Sequence, residues 1–328
     1  MSTHTDTTTL DRVLASRARA LTWLEAHVDE RGAATYGTAA MAARGPLAFA
    51  YAGRYDLAGA QLEWLAGLPR EELRFSPDGR YGSYPLLLLA QGAVQANRPD
   101  LGRALHADVV DWLAPCGMPW SRSADGCGET EIVPSAQAGI TLLALGDMER
   151  ARRVGDGLCA AWEAQPEPDE RFFIVTDGDG ALITELPEGI DEDERRHRVV
   201  ERDGERQHFF TGGIIAAFLV QLHWATGEAR YLEVARATQD FAMGQPHQFS
   251  TLQVCKTAWG SAYLAVATRE AVHRDWTLRM GDWFADGQAA DGSWRDHHSP
   301  YGSDGEYSVT AEFLQHLTFV AWALGQRS

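Results

Sequence analysis

The chain is almost without lysine. Lys256 is the one lysine among 29 basic residues in a sequence of 328, and the rest are arginines. There are four cysteines, and none stands in a CxxC pair (Cys116, Cys127, Cys159 and Cys255). This spacing argues against a zinc site and against a disulfide framework, so the expected compartment is the cytoplasm.

The sequence also has little that would direct it to a membrane or to nucleic acid. Residues 1–9 are polar and Thr-rich and predict a disordered tail, with no charged and apolar leader. The most apolar run, 209–225, contains Gln221 and His223 and is short for a membrane span. A net charge of −17 disfavours nucleic acid and anionic lipid as partners. We therefore expect one domain over residues 10–328 that acts on a small molecule, with a small protein partner or a homo-oligomer left open.

Apolar helical patterns alternate six times with amphipathic ones. The amphipathic patterns begin near Leu10, Tyr55, Leu101, Met148, Ala229 and Ala271, and the apolar ones near Thr38, Ser83, Pro134, Thr211, Thr257 and Val309. Helices that are apolar all round must be buried, and helices with one apolar stripe cover them. The repeat predicts an all-α fold, an (α/α)6 barrel with an inner and an outer layer.

One stretch, about 166–210, departs from the helical repeat. The segments 172–175 and 181–184 have strand character, and the Asp-Gly-Asp-Gly sequence 177–180 between them is a turn signal. We predict a small β-hairpin insertion that is either a lid over the barrel mouth or a plain surface excursion. The acidic run 191–194 is followed by basic residues and is interpreted as a solvated loop rather than a metal site.

The segment from Gln288 to Trp294 resembles the QW repeat of terpenoid cyclases, protein prenyltransferases and related α/α toroids. The resemblance implies a toroid with a ligand cavity at one end, and a structural rather than a catalytic role for the motif. The DxDD and DDxxD motifs of the cyclases are absent, so terpene chemistry does not follow. The turn 226–232 is similar to hairpin turns of six-hairpin carbohydrate-active enzymes, and the size and helical character resemble the aziridine-forming barrel enzymes of azinomycin-type biosynthesis.

In such a barrel the loops that lead into the inner helices line one mouth, and they carry the candidate site. Carboxylates with His and Lys suit acid–base chemistry, which selects as catalytic candidates Asp78, Glu131, His208, Lys256 and Glu312. Aromatic and cationic side chains in the same loops select as substrate-binding candidates Tyr36, Arg80, Tyr81, Tyr84, Trp259, His297, His298 and Tyr301. Each has a structural alternative: Lys256 could neutralise a nearby carboxylate, and Glu131 could pair with Arg80 or Arg122. No metal or cofactor is predicted.

Three functions remain open at this point. The first is a small-molecule enzyme of bacterial specialised metabolism that performs acid–base ring closure, elimination or isomerisation of a polar or anionic substrate. The second is a carbohydrate-active hydrolase, lyase or epimerase. The third is a non-catalytic binding or partner subunit.

Overall fold

The computed structural model describes residues 3–74, 80–122, 128–295 and 305–326, with the side chains described from residue 7 onward. The outer helices are α1 (Thr3–Ala26), α4 (Tyr55–Ala66), α6 (Pro99–Asp111), α8 (Met148–Glu163), α11 (Ala229–Met243) and α13 (Ala271–Gly287). The inner helices are α2 (Ala39–Ala42), α3 (Gly45–Tyr51), α5 (Tyr84–Gln95), α7 (Ile132–Ala144), α10 (Thr211–Thr226), α12 (Lys256–Thr268) and α14 (Glu306–Gly325). A short helix, α9 (Glu192–Arg196), lies in the insertion.

The predicted alternation is confirmed. Apart from α1, which begins at Thr3 rather than near Leu10, each predicted helix begins within three residues of its expected start. The first inner helix is broken into α2 and α3 just before Pro46, which lies in the first turn of α3. Proline has no N–H to donate and fits the start of a helix better than its interior.

The inner helices form a closed ring. In chain order each packs on the next, from α3 through α5, α7, α10, α12 and α14, and α14 packs back on α3. Their residues are buried almost all round, whereas the outer helices bury one face each. The fold is therefore the (α/α)6 toroid that the sequence predicts. No helix within the described ranges has both the length and the apolar character needed to cross a membrane.

Gln288, which follows the last residue of α13, links that helix to α1. Its Nε2 donates to the carbonyl oxygens of Ser16 on α1 (2.9 Å) and Gly292 (2.8 Å), and its Oε1 accepts from the Ser16 hydroxyl (2.8 Å). Trp294 is buried, donates from Nε1 to the carbonyl of Phe284 (3.0 Å), and packs edge-on against Phe313 of α14. The segment thus joins α13, α14 and α1, the three helices that close the ring.

Four three-residue strands lie at the insertion: β1 (Glu129–Glu131), β2 (Arg171–Phe173), β3 (Val175–Asp177) and β4 (Val199–Glu201). The predicted turn is present, because the Asp177 amide bonds to the carbonyl of Ala181, but the predicted hairpin is reduced to one bridge between Thr176 and Leu182. Instead β3 pairs antiparallel with β1, and β2 pairs with β4. Turn signals are local and do not specify distant strand partners. The pairing of β3 with β1 ties the insertion to the loop that leads into α7.

Candidate active site

The candidate site lies where the inner helices begin. Tyr84 and Lys256 are the first residues of α5 and α12, Glu131 immediately precedes α7, and Phe210 immediately precedes α10. Arg44 immediately precedes α3. Because these helices alternate in direction with the outer ones, their N-terminal ends meet at one mouth of the barrel.

A first group of side chains, the Glu312 cluster, is built around the carboxylate of Glu312 in the second turn of α14. Lys256 Nζ lies 2.5 Å from Glu312 Oε1, and Arg44 Nη2 lies 3.3 Å from Oε2. His316, one turn further along α14, places Nε2 3.3 Å from Oε1, and Cys255 Sγ lies 3.7 Å from the same oxygen. Glu312 is 9% exposed, Lys256 6% and Arg44 5%, so the ions are held largely away from water.

The charges of the Glu312 cluster are set by these contacts. Burial opposes ionisation of Glu312, but Arg44 and Lys256 outweigh it and hold the pKa of the carboxyl well below its usual range. Burial likewise opposes the charge of Lys256, yet Glu312 raises the pKa of the ammonium group above its usual value. Burial lowers the pKa of His316 to about 4 and raises that of Cys255 to about 12. At neutral pH the carboxylate and both cations are charged, and the imidazole and thiol are neutral.

A second group, the Glu131 cluster, lies between the barrel rim and the insertion. Arg80 Nη1 is 3.6 Å from Glu131 Oε1, and the same guanidinium bonds to Glu194 of α9 through Nη2. Glu194 also accepts from Arg198 Nε at 2.9 Å and lies 3.5 Å from Arg122 Nη2. The insertion is therefore held to the barrel loops by ion pairs as well as by strand pairing.

Glu131 differs from Glu312 in its ionisation. It is 3% exposed, and burial raises the pKa of its carboxyl to about 7. Arg80, the phenol of Tyr81 and Arg122 act in the opposite direction but do not outweigh burial, and the negative charge of Glu194 adds to the upward shift. Glu131 therefore exchanges its proton near neutral pH, which is the property of an efficient general acid or base.

Two histidines from the insertion extend the Glu131 cluster. The hydroxyl of Tyr81 lies 3.2 Å from His197 Nδ1, and the ring of His197 meets that of His208 edge-on at 4.4 Å. Burial, and next the neighbouring His197, lower the pKa of His208 well below its usual value, so that imidazole is neutral at pH 7. Burial keeps the pKa of Tyr81 well above 10, so the phenol keeps its proton.

Aromatic rings connect the two clusters on both sides. Arg44 lies over the ring of Tyr84 (5.7 Å), and Tyr84 neighbours Tyr81 (6.3 Å between centroids). On the other side, the Lys256 ammonium lies over Phe210 at 4.6 Å, and Phe210 stacks on His208 at 5.0 Å. The contacts run from Glu312 through Arg44 and the tyrosines to the histidines, and return through Phe210 and Lys256. The two carboxylates thus belong to one continuous site.

The structure brings together most of the sequence-predicted residues that it describes. Glu131, His208, Arg80 and Tyr81 meet in one cluster, and Lys256 and Glu312 meet in the other. The predicted structural alternatives for Lys256 and Glu131 are both realised as ion pairs, which coexist with a position in the site.

Other predicted residues have different surroundings. Trp259 is 2% exposed, stacks on Phe319 and neighbours His316, so it forms the floor beneath the Glu312 cluster. Tyr36 bonds to Glu306, the first residue of α14, and packs edge-on against Trp23. Four predicted residues lie outside the described ranges: Asp78, His297, His298 and Tyr301.

Sequence reasoning missed several members of the site, among them Arg44, His197, Glu194 and His316. A signal existed for two of them. Arg44 is a lone charge at the start of an apolar inner segment, and His316 stands four residues after Glu312, which puts both on one face of a helix. Glu194 and His197 had no such signal, because only the folding of the insertion over the rim brings them to Arg80 and Tyr81.

Within the described ranges, one set of donors could hold a metal ion: Cys255, Glu312 and His316, whose ligand atoms lie within 4.8 Å of one another. Thiolate, carboxylate and imidazole would suit zinc. However, the Lys256 ammonium already lies 2.5 Å from the shared oxygen of Glu312, and Arg44 pairs with the other oxygen. A divalent ion there would face two cations and a thiol held in its protonated form, so the residues present fit a metal poorly.

Comparison with known proteins agrees with the fold. No protein-family model matches the chain, and no curated protein matches it in sequence. Among solved structures, a D-mannose isomerase aligns with a TM-score of 0.71 and 12% identity over 99% of both chains.

Two further solved structures have similar folds. A type II terpene cyclase from Scytonema, a variant in complex with geranylgeranyl dihydroxybenzoate, aligns with a TM-score of 0.61 and 14% identity. The GH76A α-1,6-mannanase of Salegentibacter sp. aligns with a TM-score of 0.64 and 11% identity. Each alignment covers 96% of this chain and 99% of the other. At such identities the likeness shows the fold, and the toroid predicted from Gln288–Trp294 is confirmed at that level.

Proposed function

We propose that the protein is an enzyme that transfers protons within a small polar substrate at the barrel mouth, an isomerase or lyase by reaction class. The observation that carries the proposal is the position of Glu131, a buried carboxyl at the rim of a toroid, 3.6 Å from Arg80, whose pKa burial raises to about 7. A base with this pKa can remove a proton from a carbon next to a carbonyl and remain an adequate acid for its return.

The neighbours of Glu131 can stabilise the negative charge that the proton transfer leaves on the substrate. When a proton leaves the carbon, negative charge develops on the carbonyl oxygen and needs hydrogen-bond donors. Tyr81 keeps its phenolic proton, and the neutral imidazole of His208 carries one N–H, so both can donate a hydrogen bond to that oxygen. In an isomerisation the proton returns to the former carbonyl carbon, the hydroxyl oxygen loses its proton, and the former carbonyl oxygen gains one. In an elimination the enolate expels a leaving group from the next carbon, and in a ring closure it attacks a carbon of the same substrate and displaces a leaving group from it.

The Glu312 cluster has a different role in this proposal. Lys256 is held as an ammonium ion and Glu312 as a carboxylate, so neither exchanges protons near neutral pH. They hold and orient the substrate, and we place the proton transfer at Glu131. The likeness in fold to a D-mannose isomerase favours an isomerase within this reaction class.

The test uses small hydroxy-carbonyl compounds, including aldoses and ketoses, incubated with the protein in D2O and followed by NMR. We expect deuterium to appear at the carbon next to the carbonyl. Glu131→Gln should slow this exchange by a factor of about 10² or more, the usual contribution of a general base. Glu163→Gln, on the outer surface of α8 and paired with Arg230, is the matched control and should leave the rate unchanged. Equal rates in Glu131→Gln and wild type would remove the proposal.

The pH profile gives a second readout of the same step. As a base, Glu131 must be ionised, so the rate should rise with pH and level off above about 7. A rate that falls through that pH range would make Glu131 the acid instead.

Glycoside hydrolysis is the second candidate, favoured by the likeness to the α-1,6-mannanase fold. In that case the half-protonated Glu131 would protonate the leaving oxygen. Release of nitrophenol from nitrophenyl glycosides distinguishes the two, since the proton-transfer enzyme should leave them intact. A chain without turnover in either assay would fit the binding-subunit hypothesis.

A further inference from the structure

We propose that the Glu312 cluster is an anion subsite, and that the substrate carries a carboxylate held between Arg44 and Lys256. The inference rests on the proposed function, since it names the substrate class of the same site.

The charge balance of the cluster leads to this conclusion. Among its described residues, two cations face one carboxylate, and the remaining members, His316 and Cys255, are neutral. Both cations pair with the same carboxylate, so the described members of the cluster carry one net positive charge, in a group of side chains that is at least 91% buried. An uncompensated buried charge is costly, and it is offset when a ligand of opposite sign binds.

The hydrogen-bond donors of the cluster are also incompletely used. The Nε of Arg44 is buried and has no hydrogen-bond partner within the described ranges. Lys256 has three donor hydrogens, and the structure shows one hydrogen bond from them, to Glu312, with the ring of Phe210 beside the ammonium. Spare donors on two cations suit an oxygen anion, because N⁺–H···O⁻ bonds are about twice as strong as neutral ones.

The size of the excess charge favours a carboxylate over a phosphoryl group. A single negative charge neutralises the cluster, whereas a dianion would leave a negative charge next to Glu312. A neutral sugar would leave the positive charge of the cluster uncompensated. The subsite therefore separates this chain from enzymes of the same fold that act on neutral hexoses.

Binding of sodium acetate, measured by ligand-observed NMR titration at constant ionic strength and pH 7.5, tests the subsite directly. Acetamide has the same shape without the charge, and inorganic phosphate represents the alternative anion. We expect saturable acetate binding that is stronger than binding of either acetamide or phosphate. Acetate binding no tighter than acetamide binding would refute the anion subsite, and tighter binding of phosphate would overturn the choice of a carboxylate.

Two substitutions should move the affinity in opposite directions, which general damage to the fold would not do. Arg44→Gln removes the excess charge and should weaken acetate binding by about tenfold to a hundredfold. Glu312→Gln removes the carboxylate that competes with acetate for the same donors and should strengthen the binding. Arg44→Lys keeps the charge and should lose less affinity for acetate than Arg44→Gln does. Lys256→Gln provides a second neutralising variant if Arg44→Gln does not fold. Unchanged affinity in both neutralising variants would end the proposal.

Arg230→Gln makes the same change in net charge on the outer layer, where Arg230 pairs with Glu163, and should leave acetate binding as it is in wild type. Acetate titration needs no turnover, so it fails or succeeds separately from the deuterium-exchange assay.

Discussion

Glu131 and Glu312 are both buried carboxylates at the mouth of one barrel, yet their pKa values move in opposite directions. Glu312 has two cations in contact, at 2.5 and 3.3 Å, and its pKa falls well below 4.5. Glu131 has one guanidinium at 3.6 Å, which is shared with Glu194, and its pKa rises to about 7. Burial acts on both in the same sense, so the number and distance of the cations decide which carboxyl is a fixed charge and which exchanges a proton.

The largest effect should follow from breaking the fixed pair. Glu312→Gln leaves Arg44 and Lys256 buried without their carboxylate, and we expect the free energy of unfolding at pH 7 to fall by about 3–5 kcal/mol. Urea denaturation measures it. The control is Glu63→Gln, whose side chain is 67% exposed and paired with Arg98, and it should change stability by less than about 1 kcal/mol. Similar losses in both variants would mean that the Glu312 pair behaves like a surface pair.

Glu131→Gln should instead raise the free energy of unfolding, by an amount that depends on pH. The folded-state pKa is about 7 against an ordinary value of 4.5, so the folded protein favours the protonated carboxyl. The stabilisation of the folded state that comes from this raised pKa is fully present below pH 4.5, declines as pH rises, and is lost above pH 7. Gln imitates the protonated form at every pH, so the variant should match wild type at pH 4.5 and exceed it by up to about 3 kcal/mol at pH 8.

The measurement is the difference in free energy of unfolding between Glu131→Gln and wild type at the two pH values. Taking the difference cancels the titration of the groups that do not interact with Glu131. A difference that stays constant from pH 4.5 to pH 8 would show that Glu131 titrates normally.

The smallest effects should come from substituting the neighbours of Glu131. Two such substitutions should shift the pKa of Glu131 in opposite directions. Glu194→Gln removes a nearby negative charge and should lower the pKa of Glu131, whereas Tyr81→Phe removes a group that favours the carboxylate and should raise it. Carbon-13 NMR of labelled glutamate side chains follows both. Shifts of the same sign would mean that movement of the insertion, rather than local charge, controls Glu131.

Much of the fold was predictable because it depends on local pattern. The alternation of apolar and amphipathic stretches places helix starts such as Tyr55, Thr211 and Ala229 at the correct residue. The strand partners were not predictable, since β3 pairs with β1, which lies more than 40 residues earlier in the chain. The turn at residues 177–180 can be recognised in the sequence. The pairing of Val175 with Glu131 of β1 cannot.

The site divides in the same way. Helical periodicity and loop position were enough to select Glu131, Lys256 and Glu312, because polar residues at the starts of buried helices must face the mouth or find partners. Their protonation was decided by tertiary structure alone. The pairing of Arg44 with Glu312, where α14 packs on α3 and closes the ring, and the approach of Glu194 to Arg80 join segments far apart in the chain. Coulomb interactions depend on distances of a few ångströms, and only the closure of the ring and the folding of the insertion set those distances.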